Sequence, residues 1–524
     1  MLRSILALAA LLLVATGPAG ADTELRRQMR AEPESLDPQK VSGQPEAIVL
    51  DDLFEGLTVL APSGEPVAAM ARSWEISADG LVWTFHLRPD AKWSNGEALT
   101  AEDFVYSWRR ELDPATASPY AAALSPLAGA DAIIAGKAPL DTLGVTALDP
   151  VTLKITLVQP TPWLLAALAH HTFFPVPRKA IEAAGNQWTR PGAMVSDGAY
   201  LMSGWVPHGE VTLTRNPYYY DAAAVKIATV HHVLADDMVA AVRRWEAGEL
   251  DTTLVPGHEL SRVQAAYPDQ VHVSPYMATA FLALNVHRPE LADPRIRRAL
   301  SMVLDREVLI QRVLKGAQIP AFGLIPPGSV PGYTPPTPEW AALPMPERIA
   351  AARKLIAEAR GADAPPLKLT LRSTKSEQIG LVLSAVTSMW KAALGVEATQ
   401  DSSEWGVLEQ DLHQGNYQVG AYGWTADYVD PWNYLANYRT DAAELNIIRY
   451  DNPRYDALLD QSRKAADKAQ RFALLAQAEA MLLDDQPLIP LDFQVAQYLV
   501  NKRLAGWNPS PVEMHPSREL SWKE

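Results

Sequence analysis

The most informative absence in this sequence is cysteine, of which the chain has none. That absence excludes disulfides, zinc–thiolate sites, iron–sulfur clusters and cysteine nucleophiles. Positive charge is also scarce: 46 lysines and arginines stand against 61 aspartates and glutamates, and the formal net charge is -15. Such a charge disfavours nucleic acids and anionic membranes as partners, so we expect no nucleic-acid function.

Long hydrophobic runs are confined to the N-terminus. Arg3 precedes an apolar run at residues 5–15, which is too short to span a membrane, and Ala19-Gly20-Ala21 fits a signal-peptidase site. The sequence predicts a cleaved signal peptide over residues 1–21; an uncleaved membrane anchor is the alternative. Because no cysteine can carry a lipid, we expect the exported chain to be free in a bacterial periplasm.

Sequence patterns of catalysis are missing as well. There is no Gly-x-Ser-x-Gly elbow and no His-Glu-x-x-His zinc motif. The paired acids and paired histidines are adjacent in sequence, so they neither face each other on a helix nor converge on one metal ion. These pairs are Asp51-Asp52, Asp484-Asp485, His170-His171 and His231-His232. We predict a protein that is not an enzyme and that uses no cofactor and no metal.

What the chain does contain is the composition of a large globular protein. Its 524 residues exceed the size that one hydrophobic core usually serves, and two or three domains are expected. Residues 81–88 alternate with period 2 after an Asp79-Gly80 turn, which predicts a half-buried strand of a hairpin. Thr100 and Asp103 are typical of a capping box and predict a helix after them.

The densest mixture of aromatics, glycines and carboxylates lies at residues 420–431, Gly-Ala-Tyr-Gly-Trp-Thr-Ala-Asp-Tyr-Val-Asp-Pro. Gly423 permits close backbone approach, and Trp424 offers a large flat surface with a polar atom. Asp427 is a carboxylate among these aromatics and could hold a cation in an aromatic pocket. The alternative is a core strand that runs into an aromatic-rich turn, and the pattern alone leaves both open.

This stretch, written Gly-Trp-x-Ala-Asp-Tyr-x-x-Pro, resembles the ligand-anchoring segment of periplasmic oligopeptide-binding proteins, the family 5 solute-binding proteins of peptide ABC importers. The ordered motifs A-x-S-W, D-G, W-T-F-x-L-R, A-K-W-S-N-G and L-T-A-x-D-F in residues 71–104 are similar to the same family, and so is the D-x-R-x-R-x-A-L signature from Asp293. The resemblance implies a monomeric periplasmic receptor. It would capture short peptides and deliver them to an inner-membrane ABC permease with its ATPase subunits.

The resemblance also implies a ligand site. In the family an aspartate pairs with the α-ammonium of the bound peptide, and Asp427 occupies that position. The other implied contacts are a backbone surface, two pocket-wall tryptophans, a loop tyrosine and a position where glutamate is common: Gly423, Trp424 and Trp405, Tyr120, and Ser42.

The sequence departs from broad-specificity members where arginine or histidine can lie near the ligand. The departing positions are Leu412, Ala421 and Gln378, and the candidate substitute cations are Lys375, Arg372 and His413. Ligand length therefore stays open between a tripeptide, a tetrapeptide, a murein peptide and a general oligopeptide. A non-peptide solute such as a sugar, a nickel chelate or an opine is a further alternative, because one scaffold serves several ligands.

The implied architecture is α/β: a two-lobed periplasmic-binding-protein fold of type II with an extra inserted domain, which encloses the ligand between its lobes. The expected parts are residues 22–54, 178–280 and 492–524 for the core of lobe 1, 55–177 for the inserted domain, and 281–491 for lobe 2. The arginines of residues 293–306 alternate with core residues, which predicts that they lie on a solvated helix face.

Overall fold

The structure is a computed structural model that describes residues 23–442, 445–465 and 467–523. The predicted signal peptide, residues 1–21, lies outside these ranges. Helices and strands are mixed along the whole described chain, and none of its helices combines the length and apolar character needed to cross a membrane.

The helices and strands follow one another along the chain in three groups. Up to residue 177 they are β1 (Glu24–Met29), α1 (Gln44–Leu53), β2 (Thr58–Leu60), β3 (Pro66–Ala68), β4 (Ala71–Ile76), β5 (Val82–Leu87), α2 (Ala101–Leu112), α3 (Ala130–Ile134), β6 (Val145–Asp149), β7 (Thr152–Thr156) and α4 (Leu164–Ala167). The next group is α5 (Arg178–Ala184), β8 (Tyr200–Val206), β9 (Glu210–Arg215), β10 (Thr229–Leu234), α6 (Met238–Glu246), β11 (Thr252–Leu254), α7 (Gly257–Ala266) and β12 (Val271–Leu284). The last group is α8 (Pro294–Met302), α9 (Arg306–Val308), β13 (Ile319–Pro320), α10 (Met345–Arg360), β14 (Lys368–Thr374), α11 (Glu377–Leu394), β15 (Glu397–Ser403), α12 (Trp405–Gln414), β16 (Val419–Thr425), α13 (Trp432–Leu435), α14 (Pro453–Arg463), α15 (Lys468–Asp485), β17 (Leu488–Val500), β18 (Leu504–Ala505) and β19 (Ser521–Trp522).

The largest sheet of the described residues joins eleven strands. Their order is β15-β14-β16-β12-β17-β11-β1-β10-β9-β8, with β13 paired on β17. The two long strands near its centre, β12 and β17, have 14 and 13 residues and run antiparallel. Parallel pairs lie on both sides of them, β1 with β10 and β14 with β15. Parallel neighbours need a crossover connection, which α11 provides between β14 and β15.

The pairing of β12 with β17 changes register near the middle of both strands. One register shift lies between Ala280 and Phe281, whose partners are Asp492 and Pro490. A bulge of this kind bends a strand and increases its local twist, and proline cannot donate to the ladder. We therefore expect the centre of the sheet to bend at these four residues.

A smaller antiparallel sheet has the order β4-β5-β7-β6. The alternation predicted for this hairpin is confirmed: Trp83, Phe85 and Leu87 are buried, and the residues between them are partly exposed. The predicted capping box is confirmed as well, since the main-chain N–H of Thr100 donates to the Asp103 carboxylate at 2.7 Å. These elements pack in one hydrophobic cluster with β1, α1 and the C-terminal segment.

Two further hydrophobic clusters fill the part of the chain between β12 and β17. One of them includes a residue from the first half, because Trp163 stacks on Trp432 with ring centroids 4.2 Å apart and planes 13° apart. Beside these rings Arg471 donates twice to Asp430, at 2.7 Å each. Removing one partner of such a buried pair costs about 3–5 kcal/mol, so the pair and the stacked rings secure this contact between distant segments.

The arginines of α8 and α9 correct a prediction. The helical spacing predicts a solvated face for them; Arg295 is exposed as predicted, but Arg297 and Arg306 are buried. Arg297 donates to the carbonyls of Asp485 and Gln486, and Arg306 donates to the carbonyl of Pro490. A guanidinium carries five N–H donors, so one side chain satisfies several carbonyls of irregular segments. Those segments are remote in sequence, which is why the helical spacing alone is misleading here.

Glu479 of α15 is fully buried and holds the loop that follows β13. Its carboxyl accepts the main-chain N–H groups of Leu324 at 2.9 Å and Ile325 at 3.1 Å, and the Tyr333 hydroxyl at 2.6 Å. Burial raises the pKa of Glu479 to about 7, and the hydrogen bonds offset part of that effect. Folding therefore favours the protonated form of this carboxyl.

This pKa predicts a pH-dependent contribution to stability. Because the folded pKa of Glu479 lies above its unfolded value, the contribution is present below about pH 4.5 and is lost as the pH rises to about 7. The non-titrating variant Glu479→Gln should remove it, so the unfolding free energy of the wild type minus that of the variant should fall by up to about 3 kcal/mol between pH 4.5 and 8. Urea unfolding across this range measures the difference. Tyr333→Phe leaves the carboxyl titratable and removes a hydrogen bond that lowers its pKa, so this variant should retain a pH dependence at least as large as that of the wild type. A difference between the wild type and Glu479→Gln that does not change with pH would contradict the prediction.

Candidate functional site

A cavity of about 350 Å³ opens where the first hydrophobic cluster, the turn after β16 and the C-terminal segment meet. This volume is within the usual range for sites that bind small ligands. Its walls come from the start of α1, the β2 strand and its turn, the segment around α4, the residues after β16, and residues 506–520. Its polar and aromatic lining includes Ser42, Asp51, Tyr120, His170, His171, Tyr276, Asp427, Asn508, Arg518 and Glu519.

Asp427 reaches the cavity because β16 ends two residues before it. β16 pairs antiparallel with β12 as far as Thr425, and the N–H of Ala426 still donates to the carbonyl of Met277 at 2.8 Å. The chain then leaves the sheet and turns. Strand pairing therefore fixes the main chain immediately before the carboxylate, which limits the positions that the side chain can reach.

Neutral groups hold the carboxylate of Asp427. The Tyr120 hydroxyl donates to Oδ1 and the Asn433 amide donates to Oδ2, each at 3.3 Å. Burial raises the pKa of Asp427, and these hydrogen bonds with the nearby His171 offset part of that rise. Within the described ranges no lysine or arginine forms an ion pair with this carboxylate. The site thus presents a half-buried anion that lacks a counter-ion.

Asn433 links Asp427 to Trp424. Its side-chain oxygen accepts the indole N–H of Trp424 at 2.9 Å and the main-chain N–H of Asp427 at 3.3 Å, while its amide nitrogen donates to the carboxylate. Trp424 packs against the core of the second half rather than lining the cavity. Its contribution to the site is therefore the orientation of the amide that orients Asp427.

Two adjacent histidines and a tyrosine form an aromatic wall of the cavity. The ring centroid of Tyr120 lies 5.0 Å from that of His170 and 5.9 Å from that of His171. His170 Nδ1 accepts the Thr172 N–H at 3.4 Å, and His171 Nε2 lies 3.3 Å from the carbonyl of Val41, to which it donates. Burial lowers the pKa of His170 to about 4 and that of His171 well below its usual value. Both rings are neutral at pH 7.

The six residues predicted for the site divide into two groups. Three line the cavity: Ser42, Tyr120 and Asp427. The other three lie outside its lining: Trp424, Gly423 and Trp405. Trp405 is 49% exposed at the start of α12 and stacks on Tyr422 with ring centroids 5.7 Å apart. Gly423 lies exposed on β16, where an added Cβ would come within 3.1 Å of the Thr279 carbonyl oxygen.

Three residues of the site have no sequence signal that sets them apart: His170, His171 and Asn433. Adjacent histidines are poor metal ligands, and no group of three or more His, Asp or Glu side chains among the described residues could hold a metal ion. The contacts of the two histidine rings with a tyrosine of another loop depend on the fold. Asn433 follows Asp427 by six residues in the aromatic-rich turn, and this spacing is the single hint that the sequence contains.

Two of the three cations suggested as substitutes near the ligand have acidic partners, and the third, His413, lies outside the cavity lining. Arg372 contacts Asp411 at 2.7 Å, and Lys375 contacts Glu404 at 2.8 Å. Neither lines the cavity. Leu412, where an arginine was considered, is fully buried in the core.

Comparison with known proteins identifies the family of this chain. Residues 65–446 match the model of the bacterial extracellular solute-binding proteins, family 5 Middle. The periplasmic oligopeptide-binding protein OppA of Escherichia coli (strain K12) is 38% identical over 503 residues, 94% of this chain and 92% of that protein. The probable deoxycholate-binding periplasmic protein YgiS of the same strain is 36% identical over 509 residues, 97% of this chain and 95% of that protein. The structure of the Escherichia coli murein tripeptide binding protein MppA has a TM-score of 0.81 at 36% identity, covering 96% of this chain and 99% of that chain.

These likenesses extend over both halves of the chain. They confirm the two-lobed α/β fold of solute-binding proteins that the sequence predicts. Both motif regions, residues 71–104 and 420–431, lie within the matched range. The chain belongs to the bacterial extracellular solute-binding proteins of family 5.

Proposed function

We propose that this protein is a periplasmic receptor that captures short peptides by their α-ammonium group and delivers them to an ABC permease. The observation that carries the proposal is Asp427, a carboxylate in a cavity that is held by neutral donors and has no cation of its own among the described residues. Relatives named for binding oligopeptides and a murein tripeptide, OppA and MppA, support the ligand class.

An ammonium group is what this carboxylate lacks. A peptide α-amino group has a pKa of about 7.7–8.0 and is largely protonated at neutral pH. An opposite charge at short range favours the ionised carboxylate and offsets the effect of burial. The neutral His170 and His171 rings beside Asp427 do not repel such a cation.

We infer binding without chemistry. Hydrolysis of a peptide needs an activated nucleophile or a metal-bound water. The cavity histidines contact a main-chain carbonyl and a main-chain N–H instead of a serine. Membership in a family of solute-binding proteins supports the same conclusion.

The division into lobes is part of the proposal. We place lobe 1 at residues 22–54, 178–280 and 492–524, its inserted domain at 55–177, and lobe 2 at 281–491. The register shift between Ala280 and Phe281, opposite Asp492 and Pro490, lies at both proposed crossings between the lobes and supports these boundaries. A bend at that point suits a hinge that closes around a ligand. The receptor is proposed to act as a monomer after removal of residues 1–21.

The ligand could also be a murein peptide, which likewise presents an ammonium group. MppA at 36% identity supports that alternative. YgiS is named for deoxycholate, a steroid carboxylate without an ammonium, so Asp427 distinguishes that ligand class from peptides.

Removal of the Asp427 carboxylate should abolish high-affinity peptide binding. Loss of one partner of an enclosed ion pair costs about 3–5 kcal/mol, so Asp427→Ala should raise the Kd for trialanine by roughly 100-fold or more. N-acetylation of the peptide should have an equal effect on the wild type and little further effect on the variant. Calorimetric titration of all four combinations measures this.

Asp293→Asn is the matched control, because Asp293 caps α8 outside the cavity and asparagine is an equally good cap. Its Kd should equal that of the wild type. Equal binding of free and acetylated trialanine by the wild type would overturn the ammonium anchor, and binding of deoxycholate but of no peptide would overturn the ligand class.

Peptide affinity should fall as the solution is acidified. Burial raises the pKa of Asp427, and protonation removes the charge that the ammonium needs. The Kd should therefore rise as the pH falls from 7 toward 4.5, a window in which His170, with a pKa of about 4, stays mostly neutral. Asp51 also lines the cavity, and burial raises its pKa to about 6. The variant Asp51→Asn therefore measures how much of the pH dependence of the Kd comes from Asp51. A Kd that stays constant between pH 7 and 4.5 in both the wild type and Asp51→Asn would contradict the prediction.

A further inference from the structure

The C-terminal segment of the chain is fixed where it forms a wall of the cavity. Asp52 accepts both the main-chain N–H and the hydroxyl of Ser517, at 2.7 Å each. Arg27 donates to the same hydroxyl at 2.9 Å, and His232 lies 3.2 Å from Asp52. All four side chains are buried. The backbone of the next residue, Arg518, therefore has a fixed position beside the cavity.

The guanidinium of Arg518 is largely unused by the protein. Its Nη1 donates to the main-chain carbonyl of Asp51 at 3.1 Å, and within the described ranges this is the one hydrogen bond of its side chain. No carboxylate oxygen among those residues lies within 4 Å of it, and none of its nitrogens is sealed from solvent without a partner. A guanidinium has five N–H donors in a planar fork. The remaining donors have no hydrogen-bond partner among the described residues, and the half-buried residue lines the cavity.

Nearby carboxylates keep Arg518 charged without occupying it. Burial of the guanidinium acts to lower its pKa, but the charges of Asp51, Glu55 and Glu519 outweigh that effect, and the pKa of Arg518 is raised. Glu55 is already bound by the hydroxyls of Tyr219 and Tyr220, at 2.7 Å each. Burial raises the pKa of both Asp51 and Glu519. The free side of the guanidinium is therefore a charged donor surface at neutral pH.

We propose that Arg518 is a specificity-determining residue that binds a carboxylate of the ligand. Bidentate Arg–carboxylate pairs are among the strongest hydrogen-bonded contacts in proteins. The proposal rests on the proposed function, because the carboxylate belongs to the molecule whose ammonium binds Asp427 in the same cavity. The ligand class is then a zwitterionic peptide. Its carboxylate is either the C-terminus or an acidic side chain, and both sources have the same chemistry.

The contrast with other cations supports this assignment. Arg372 and Lys375, the candidates from the sequence, are paired with acidic side chains and lie outside the cavity lining. Arg518 is the arginine that lines the cavity in the described part of the chain, and no lysine joins it there.

Three peptides separate the two sources of the carboxylate: trialanine, trialanine amide, and Ala-Glu-Ala amide. Each is titrated into the wild type, Arg518→Gln and Arg518→Lys. A charge-assisted hydrogen bond is worth about tenfold or more in affinity. If the C-terminus binds Arg518, amidation should weaken wild-type binding at least about tenfold and have little effect in Arg518→Gln. If an acidic side chain of the peptide binds Arg518, Ala-Glu-Ala amide should bind more tightly than trialanine amide to the wild type, but not to Arg518→Gln.

Arg518→Lys keeps the charge but loses the planar fork, so its preference for a carboxylate should be intermediate. It also reports on the site if Arg518→Gln does not fold. Arg295→Gln changes an exposed arginine that is paired with Asp293, and its preferences should match those of the wild type. Thermal unfolding of each variant verifies folding.

Carboxylate preferences that are the same in the wild type and in both Arg518 variants would overturn the proposal, and so would a wild type that shows no such preference. Binding that depends on the carboxylate through Arg518 but ignores N-acetylation would overturn the Asp427 anchor and leave Arg518 supported. A wild type that binds none of the peptides would overturn both proposals.

Discussion

The antiparallel pairing of β12 with β17 is the constraint on which the rest of this structure depends. β16 takes its register from β12, and that register determines where the chain leaves the sheet before Asp427. The C-terminal segment that carries Arg518 begins where β17 ends. Residues of the same two strands contribute to hydrophobic clusters in both halves of the chain. One strand pair therefore supports the core on either side and determines where the chain turns toward Asp427 and where the C-terminal segment begins.

Comparison of neighbouring carboxylates shows what distinguishes the site from the core. Asp430 lies three residues after Asp427 and is fully satisfied by the buried guanidinium of Arg471. Glu479 is buried without a cation among the described residues, but burial raises its pKa to about 7 and three donors hold it in place. Asp427 has two long hydrogen bonds from neutral groups and faces open space. An anion in that state contributes little to stability, and this is the state that the proposed role as partner of a ligand cation requires.

Local features of this chain are predictable from its residues, and the two-lobed fold is predictable through the family resemblance, but individual long-range contacts are not. The alternation around Trp83 and the capping box at Thr100 each depend on a few consecutive residues, and both are present as predicted. That Asp427 lines a cavity is predicted by the family motif rather than by the local sequence pattern. Burial of Arg297 and Arg306 depends on carbonyls from segments up to nearly 200 residues away, and spacing within one helix does not report such contacts.

The residues of the site show the same difference between local sequence signals and long-range contacts. Asn433 and the two histidines act through partners that the fold brings together. The unused donors of Arg518 become visible only when its spatial neighbours, Asp51 and Ser517, are known. In sequence Arg518 is one arginine near the end of the chain. The unused hydrogen-bond donors of Arg518 produce no sequence pattern, so only the structure shows them.

The two charges also explain why a peptide would close the receptor. On the proposed division Asp427 belongs to lobe 2 and Arg518 to lobe 1, so a ligand that binds both connects the lobes. A ligand shifts a conformational equilibrium by no more than its difference in affinity for the two states. An ammonium alone can bind Asp427 in any state, whereas simultaneous contact with both charges requires one separation of the lobes. Because main-chain groups and water can accommodate the residues between the two charges, such a receptor selects for an ammonium and a carboxylate and tolerates variation between them.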